Sequence, residues 1–472
     1  MKKIIGILFA LLLVSVSAFP MIGCGTKNSD SGNVAPISFK YTLEKEETND
    51  EKAAAETYYV LSGVTVSDKA KTLIEKNDYE GLAELFNTAV EGVYEAPAVK
   101  YTKETVRKLT IPETHEGKAV KKIAADAVVD LAFIEEIEVK SNVEEIGLGS
   151  FSGLTSLKTI TLPFAGKKLG AKNGEKSFGY IFGTTSSDGL TSCAQNYNEG
   201  SSDNSATYYI PSSLKTVTIT GENKVSSETK KYIYEKDEDG KDKIVYVDDS
   251  YTGENTVYTA SFDTSVYAVA PYSFYNVTMA ETITLSGSID EIGADTFYGC
   301  SSLKTIAIGG AKKIGSAAFQ TCTSLKNIDL SAVVTIGDNA FNGCTSLGVL
   351  DNYGENNALS LAATKIGESA FNGCTSLDSV TFSVKTAIGN NAFKGCTALR
   401  AVTFSAADTT IGKFAFSSCT KRLTAIDLTN VSEVGEGAFY GCSVLETISN
   451  QPSNVGVNAF KKTKWEENQK KA

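Results

Sequence analysis

The chain has one histidine, His115, and one tryptophan in 472 residues, with eight prolines and three methionines. A single imidazole excludes histidine-rich metal clusters and most arrangements that set a base beside a nucleophile. No phosphate-binding glycine loop, nucleophile elbow or zinc-type cysteine spacing is present. Neither a cofactor nor a metal is expected. His115 sits in "ETHEG", read as a solvent-exposed turn, and Cys193 could act as a nucleophile only if the fold delivered it to that ring. Basic residues are also in deficit, 45 against 56 acidic ones, for a net charge of −11. Such a surface disfavours nucleic acid and anionic lipid as partners. Beyond the first residues, no run reaches the roughly 18 apolar positions that a membrane span needs.

The first residues are different. Met1-Lys2-Lys3 precedes an apolar run from Ile4 to Phe19, then Ile22-Gly23-Cys24. That order reads as an export signal over 1–23, with Cys24 as the lipid-accepting new N-terminus and 24–36 as a flexible Gly/Ser/Asn tether. The expectation is an exported, membrane-anchored lipoprotein at the cell surface, since stable anchoring needs more than one acyl chain.

A repeat dominates the remainder. Ile292-Gly293, Ile314-Gly315, Ile336-Gly337, Ile366-Gly367, Ile388-Gly389, Ile411-Gly412, Val434-Gly435 and Val455-Gly456 recur every 21 to 23 residues, with one step of 30. Weaker copies begin at Ile123, Ile146 and Val269. A period in this range means stacked coils, each burying its apolar flanks only against its neighbours. "SLKTIAI", "SLKNIDL", "SLDSVTF" and "ALRAVTF" each end in the alternation of a short strand. Ile336, Ala340, Phe341, Cys344 and Leu347 are spaced as for a short helical or 3-10 turn pointing inward. Gly343 stands where that turn would stop in a left-handed conformation, and Thr321 and Ser418 replace it in other coils.

These phrases resemble the repeats of the BspA-like branch of leucine-rich-repeat proteins, read as I-G-x-x-A-F-x-G-C-x-S-L-x-x-I-x-L. "LTIPETHEGKAVKKI" (109–123) and "YIPSSLKTVTITG" (209–221) also look like phrases of that family. The resemblance implies a right-handed α/β solenoid, with one short parallel strand and one short helical or 3-10 segment per coil. It further implies surface display and adhesion, including to host matrix proteins, and no catalytic residues.

Cys300, Cys322, Cys344, Cys374, Cys396, Cys419 and Cys442 share one inward position in successive coils. Their Cβ atoms should stand about 5 Å apart, whereas a disulfide wants about 3.8 Å. Reduced thiols acting as small buried hydrophobes are expected.

The solenoid spans 106–460, between an N-terminal cap at 37–105 (a hairpin, then a helical stretch at 68–90) and a tail at 461–472, where "TKWEENQ" resembles a family ending that implies Trp465 as a lid. Insertions fall at 163–209, 221–262 and 351–359, each after a strand, so all three should leave one edge and the first two should form a single outgrowth. The second contains "YIYEKDEDGKDKIVYV", a β-hairpin around an acidic tip. Asp237, Asp239 and Asp242 lack the order of a calcium loop. Twelve of the 21 tyrosines lie between 180 and 275, suited either to recognition or to packing the insertions onto the coils. Candidate ligand contacts are Tyr232, Tyr234 and Tyr246 in the hairpin, and Asp329, Asp351, Thr381, Thr403 and Asp427 on the outward sheet face. The partner expected is an extracellular protein or glycan, from host matrix or other bacteria. The alternatives are an envelope scaffold without a high-affinity ligand and a hydrolase using the inserted region.

Overall fold

The computed structural model describes residues 36–46, 56–90, 100–198, 204–224, 227–236, 241–247, 251–253, 256–263, 265–348 and 358–470. The signal over 1–23, Cys24, most of the tether, Asp351 and the tip residues Asp237 and Asp239 lie outside the described residues.

Each regular coil contributes two strands rather than one. The expected strand forms a first parallel ladder running Lys108–Thr110, Glu136–Glu138, Thr159–Leu162, Thr216–Ile219, Thr282–Leu285 and Thr305–Ala307, all in register. It resumes at Ala358–Leu361, Ser379–Phe382 and Ala401–Phe404, and again at Ala425–Asp427 with Thr447–Ser449. The Ile-Gly pair supplies the end of a second parallel strand, and eight of these form an unbroken ladder from Glu291–Ile292 to Asn454–Val455.

The glycine of the pair is there for space. A Cβ on Gly337 would meet the Ser316 amide nitrogen at 2.6 Å, and one on Gly412 the Gly389 carbonyl carbon at 2.7 Å. Successive coils approach more closely here than any side chain permits.

The segment expected to be helical is a run of turns. Asn339 and Gly343 both take positive φ, as do Ala317 and Thr321 one coil earlier, and such residues prevent a continuous helix. Alternate amides then serve two purposes. Phe319 donates to the Ala340 carbonyl of the next coil at 2.7 Å, while Cys322 donates back to Phe319 at 3.1 Å within its own coil. These amides are thus satisfied even though the wall is neither helix nor sheet.

Inside, Phe274, Phe297, Phe319, Phe341, Phe371, Phe393, Phe416, Phe439 and Phe460 form one stack with ring centroids 4.9–5.6 Å apart. Trp465 closes it edge-on against Phe460 at 5.5 Å, from the helix Lys464–Gln469 capped by Thr463. At the other end, the hairpin Ile37–Lys45 and Thr57–Val66 lays its second strand beside Lys118–Ile123, and the helices Asp68–Glu75 and Tyr79–Val90 follow.

The first two insertions do not make one outgrowth; the third, over 351–357, lies outside the described residues. Ser177–Gly183 completes a wall of the stack: the Phe151 amide donates to Ile181, the Phe178 amide donates to Ser273, and the Phe178 ring stacks on Phe274 at 4.7 Å. A hairpin the sequence did not announce, Leu190–Asn196 with Ser205–Pro211, then leads into the next ladder strand from its N-terminal side. The second insertion leaves from that strand's C-terminal end through a two-strand neck, Asn223–Lys224 with Val266–Tyr267. Alternation alone could not show that the first insertion carries a coil's worth of core.

Candidate functional site

The two residues that could have supported catalysis are held in different parts of the fold. His115 is not a free loop residue: it ends a short strand, Thr114–His115, at a tight turn whose Glu116 and Gly117 both have positive φ. Its ring stacks on Tyr41 at 4.0 Å and meets Tyr59 edge-on at 4.7 Å, which fastens the cap hairpin to the first coil. Cys193, in Leu190–Asn196, is 2% exposed, and burial pushes its thiol up to about 11. A thiol protonated at neutral pH is a poor nucleophile. Its charge would also oppose that of Cys300, so it sits at the head of the cysteine column.

All eight described cysteines are free and buried. Each repeat thiol donates to the carbonyl of the preceding coil's phenylalanine, as Cys322 does to Phe297, Cys344 to Phe319 and Cys442 to Phe416, all at 3.1 Å. Sulfur therefore does more than fill space, because it gives an inward-facing carbonyl a second, weak donor. Desolvation holds the Cys344 and Cys396 thiols up at about 12. Among the described residues no group of three or more His, Cys, Asp or Glu could hold a metal ion.

On the first ladder, Thr381 and Thr403 are register partners, with Thr403 exposed and Thr381 half-buried. The two aspartates are turn formers. Asp329 accepts the Ser331 amide at 2.9 Å, and Asp427 accepts the Thr429 amide at 3.0 Å and the Asn450 side chain at 3.0 Å. Those donors hold both carboxyls below the ordinary aspartate range. Each carboxylate is largely used in holding a turn, after the strand Ala425–Asp427 for Asp427 and after the isolated bridge at Asn327 for Asp329.

The tyrosine candidates come together on a small sheet of their own. Ser227–Lys236 is central, with Asp242–Val247 and Tyr258–Asp263 antiparallel on either side. Tyr232 stands opposite Tyr246 on one neighbour and Tyr258 on the other, and Tyr234 lies two residues along on the same face. The Tyr232 and Tyr258 rings stack at 5.5 Å, and Tyr234 packs edge-on against both at 5.6 and 5.4 Å. Lys230 reaches over the Tyr246 ring at 5.8 Å. The exposures are 44% for Tyr234, 54% for Tyr246 and 43% for Tyr258, while Ile233 on the opposite face is 1% exposed. Tyr258 was missed in the sequence, although the alternation of "VYTASFD" could have marked its strand. Other tyrosines of the region do pack onto the coils: Tyr208 is buried and donates to the Gly174 carbonyl at 3.0 Å, and Tyr275 stacks on Tyr298 at 4.7 Å.

Compared with known proteins, the chain matches the BspA type leucine rich repeat region in six copies, over residues 121–173, 248–358 and 364–468. Among solved structures, a leucine-rich repeat protein from Bacteroides ovatus is 18% identical, covering 91% of this chain and 91% of its own, with a TM-score of 0.36. A leucine rich cell surface protein from Faecalibacterium prausnitzii is 18% identical over 76% of this chain and 86% of its own, with a TM-score of 0.27. The leucine rich repeat protein of T. pallidum is 18% identical over 57% and 77%, with a TM-score of 0.25. No curated protein matches.

Proposed function

Because the chain belongs to the BspA-type leucine-rich-repeat family, we propose that it is an exported surface protein, tethered by a lipid on Cys24, that binds an extracellular protein or glycan. The observation that carries this reading is the tyrosine sheet. Three well-exposed rings, Tyr234, Tyr246 and Tyr258, share one face of a sheet joined to the stack by a two-strand neck. Aromatic residues with a polar tip give large contact area at small entropic cost, and they dominate binding hot spots. The stack itself works as a rigid mount, since from Glu291 onward each coil is bonded to the next along the unbroken second ladder and the turn wall.

The test is a capture screen of protein lacking residues 1–24 against matrix proteins, mucins and bacterial surfaces, repeated with Tyr232→Ser, Tyr234→Ser and Tyr258→Ser combined. Capture should fall at least tenfold in the triple variant. Undiminished capture refutes the placement, and no capture of any partner by the parent protein favours the envelope-scaffold reading. For the anchor, metabolic labelling with a fatty acid should mark the protein and should fail with Cys24→Ala.

A further inference from the structure

A row of charge runs along the N-terminal edge of the first ladder, one residue per coil. Its members follow one another through backbone hydrogen bonds: Glu135 donates to Arg107, Lys158 to Glu135, Lys215 to Lys158, Glu281 to Lys215, Lys304 to Glu281 and Lys326 to Lys304, at 2.7–3.1 Å. Five cations and two carboxylates thus stand in single file on a chain whose net charge is −11.

The carboxylates do not cancel the row, because they lie beneath it. Glu135 is clamped by Arg107 and Lys158, and Glu281 by Lys215 at 3.2 Å and Lys304 at 2.5 Å. Side-chain exposure is 23% for Glu135 and 32% for Glu281, against 57%, 48% and 52% for Lys158, Lys215 and Lys304. Farther along, Asp378 is held by Arg400 at 2.9 Å and Arg422 at 2.7 Å in the same two-to-one form. Each such triad leaves one positive charge in excess and presents cations to solvent. Two like charges also sit on adjacent coils, Lys158 with Lys215 and Lys304 with Lys326, about 5 Å apart along the stack. Like charges at this spacing repel, and the single carboxylate between each pair of cations offsets only part of that repulsion.

Beside the row lies a file of hydroxyls. Thr159, Thr216, Thr282 and Thr305 are register partners in four consecutive ladder strands, and the Thr282 and Thr305 hydroxyls are 3.2 Å apart.

We propose that this edge binds a linear acidic polysaccharide laid across successive coils, its anionic groups against the lysines and its sugar hydroxyls against the threonines. Neither file contains an aromatic or aliphatic anchor, so it lacks the buried hot spot of a protein interface and the stacking platform of single-stranded nucleic acid. The inference rests on reading the chain as an extracellular binder, but it uses a different face from the tyrosine sheet.

The experiment measures binding of chondroitin sulfate to the full chain, with dextran and charge-matched duplex DNA beside it. Lys158→Gln, Lys215→Gln and Lys304→Gln together should weaken chondroitin sulfate binding at least tenfold at low salt. The same change at three exposed lysines elsewhere, Lys69, Lys394 and Lys461, should leave it within twofold. Affinity of the unaltered chain should fall steeply with added salt, a readout that needs no variant. Equal loss in both lysine triples, salt-independent affinity, equal binding of dextran or preference for DNA would each overturn the proposal. The tyrosine triple variant should keep its chondroitin sulfate affinity, so failure here and failure of the tyrosine site are separate results.

Discussion

The regular stack from Thr282 onward and the irregular middle from Pro163 to Tyr267 bury similar side chains but satisfy their backbones by different means. In the stack, coil bonds to coil through main-chain groups, and each thiol adds a donor to a phenylalanine carbonyl. In the middle the register is broken, and two buried amides span the gaps. Gln195 accepts the Gly179 amide at 2.6 Å and donates to the carbonyls of Ser273 and Tyr275, both at 3.1 Å. Asn223 accepts the Val269 amide at 2.8 Å and donates to Val269 and to Glu291 at 2.8 and 3.2 Å. A repeat can thus absorb a long insertion if a side chain stands in for the missing ladder bonds.

Alkaline pH should separate the two regions most. Burial raises the thiols of Cys300, Cys322, Cys344, Cys374 and Cys396 above their ordinary value, and a hydrogen bond with the neighbouring Cys442 thiol, together with burial, does so for Cys419. The folded state keeps these protons where the unfolded chain has lost them, so stability is whole below about pH 8.5 and falls as pH rises toward the folded values. Each thiol contributes a slope of about 1.4 kcal/mol per pH unit in that window. Urea midpoints at pH 7.5 and 10 should therefore drop sharply, and Cys344→Ala should make the fall shallower. A midpoint unchanged at pH 10 would show that the column is not buried as a unit.

Cutting a single ring is next in size. Phe341→Ala empties the centre of the stack between Phe319 and Phe371, at a cost of about 3–5 kcal/mol by denaturant unfolding. In the middle, Asn223→Leu should cost less, about 2–3 kcal/mol, by leaving the Val269 amide and two carbonyls without their partner. Hydrogen exchange should then quicken around Val269 and not at Phe341. Equal quickening in both places would mean that the two regions unfold as one.

The sequence made the stack legible because its period is short and its core positions repeat by residue type. The phenylalanine and cysteine columns and the tyrosine hairpin could be read from spacing, and the capping tryptophan from a resemblance to a family ending. The second ladder could not, because strands as short as Lys313–Ile314 and Lys365–Ile366 are too brief to show a two-residue alternation. The glycine after each isoleucine was the available signal, and its meaning is a close approach that only coordinates reveal. Phe178 escaped notice for the opposite reason: it joins the phenylalanine column out of register, stacked on Phe274, and Cys193, read only as a possible nucleophile, is likewise a buried thiol beside Cys300. Of the candidate contacts, the tyrosines gathered on one face, whereas Asp329 and Asp427 proved to be turn formers. An outward position in a strand does not distinguish a free carboxylate from one already accepting an amide.

The smallest effect tests how far the stack depends on its left-handed turn positions. Gly299, Gly343, Gly373, Gly395 and Gly441 take φ between 71° and 76° at the end of the turn wall, and Thr321 and Ser418 occupy the same place at 58° and 62°. A β-branched residue is strained there by about 1–2 kcal/mol, whereas glycine costs about 0.5–1 kcal/mol in lost chain entropy. The difference favours glycine, so Thr321→Gly should raise stability by about 0.5–1 kcal/mol. The Thr321 hydroxyl donates only to the adjacent Gln320 carbonyl, at 2.7 Å, so little bonding is lost with it. Ser418→Gly should gain less, because serine is not β-branched. A loss of stability in Thr321→Gly would mean that the threonine methyl, which lies 3.7 Å from where a Gly343 Cβ would stand, packs the wall in a way that outweighs its strain.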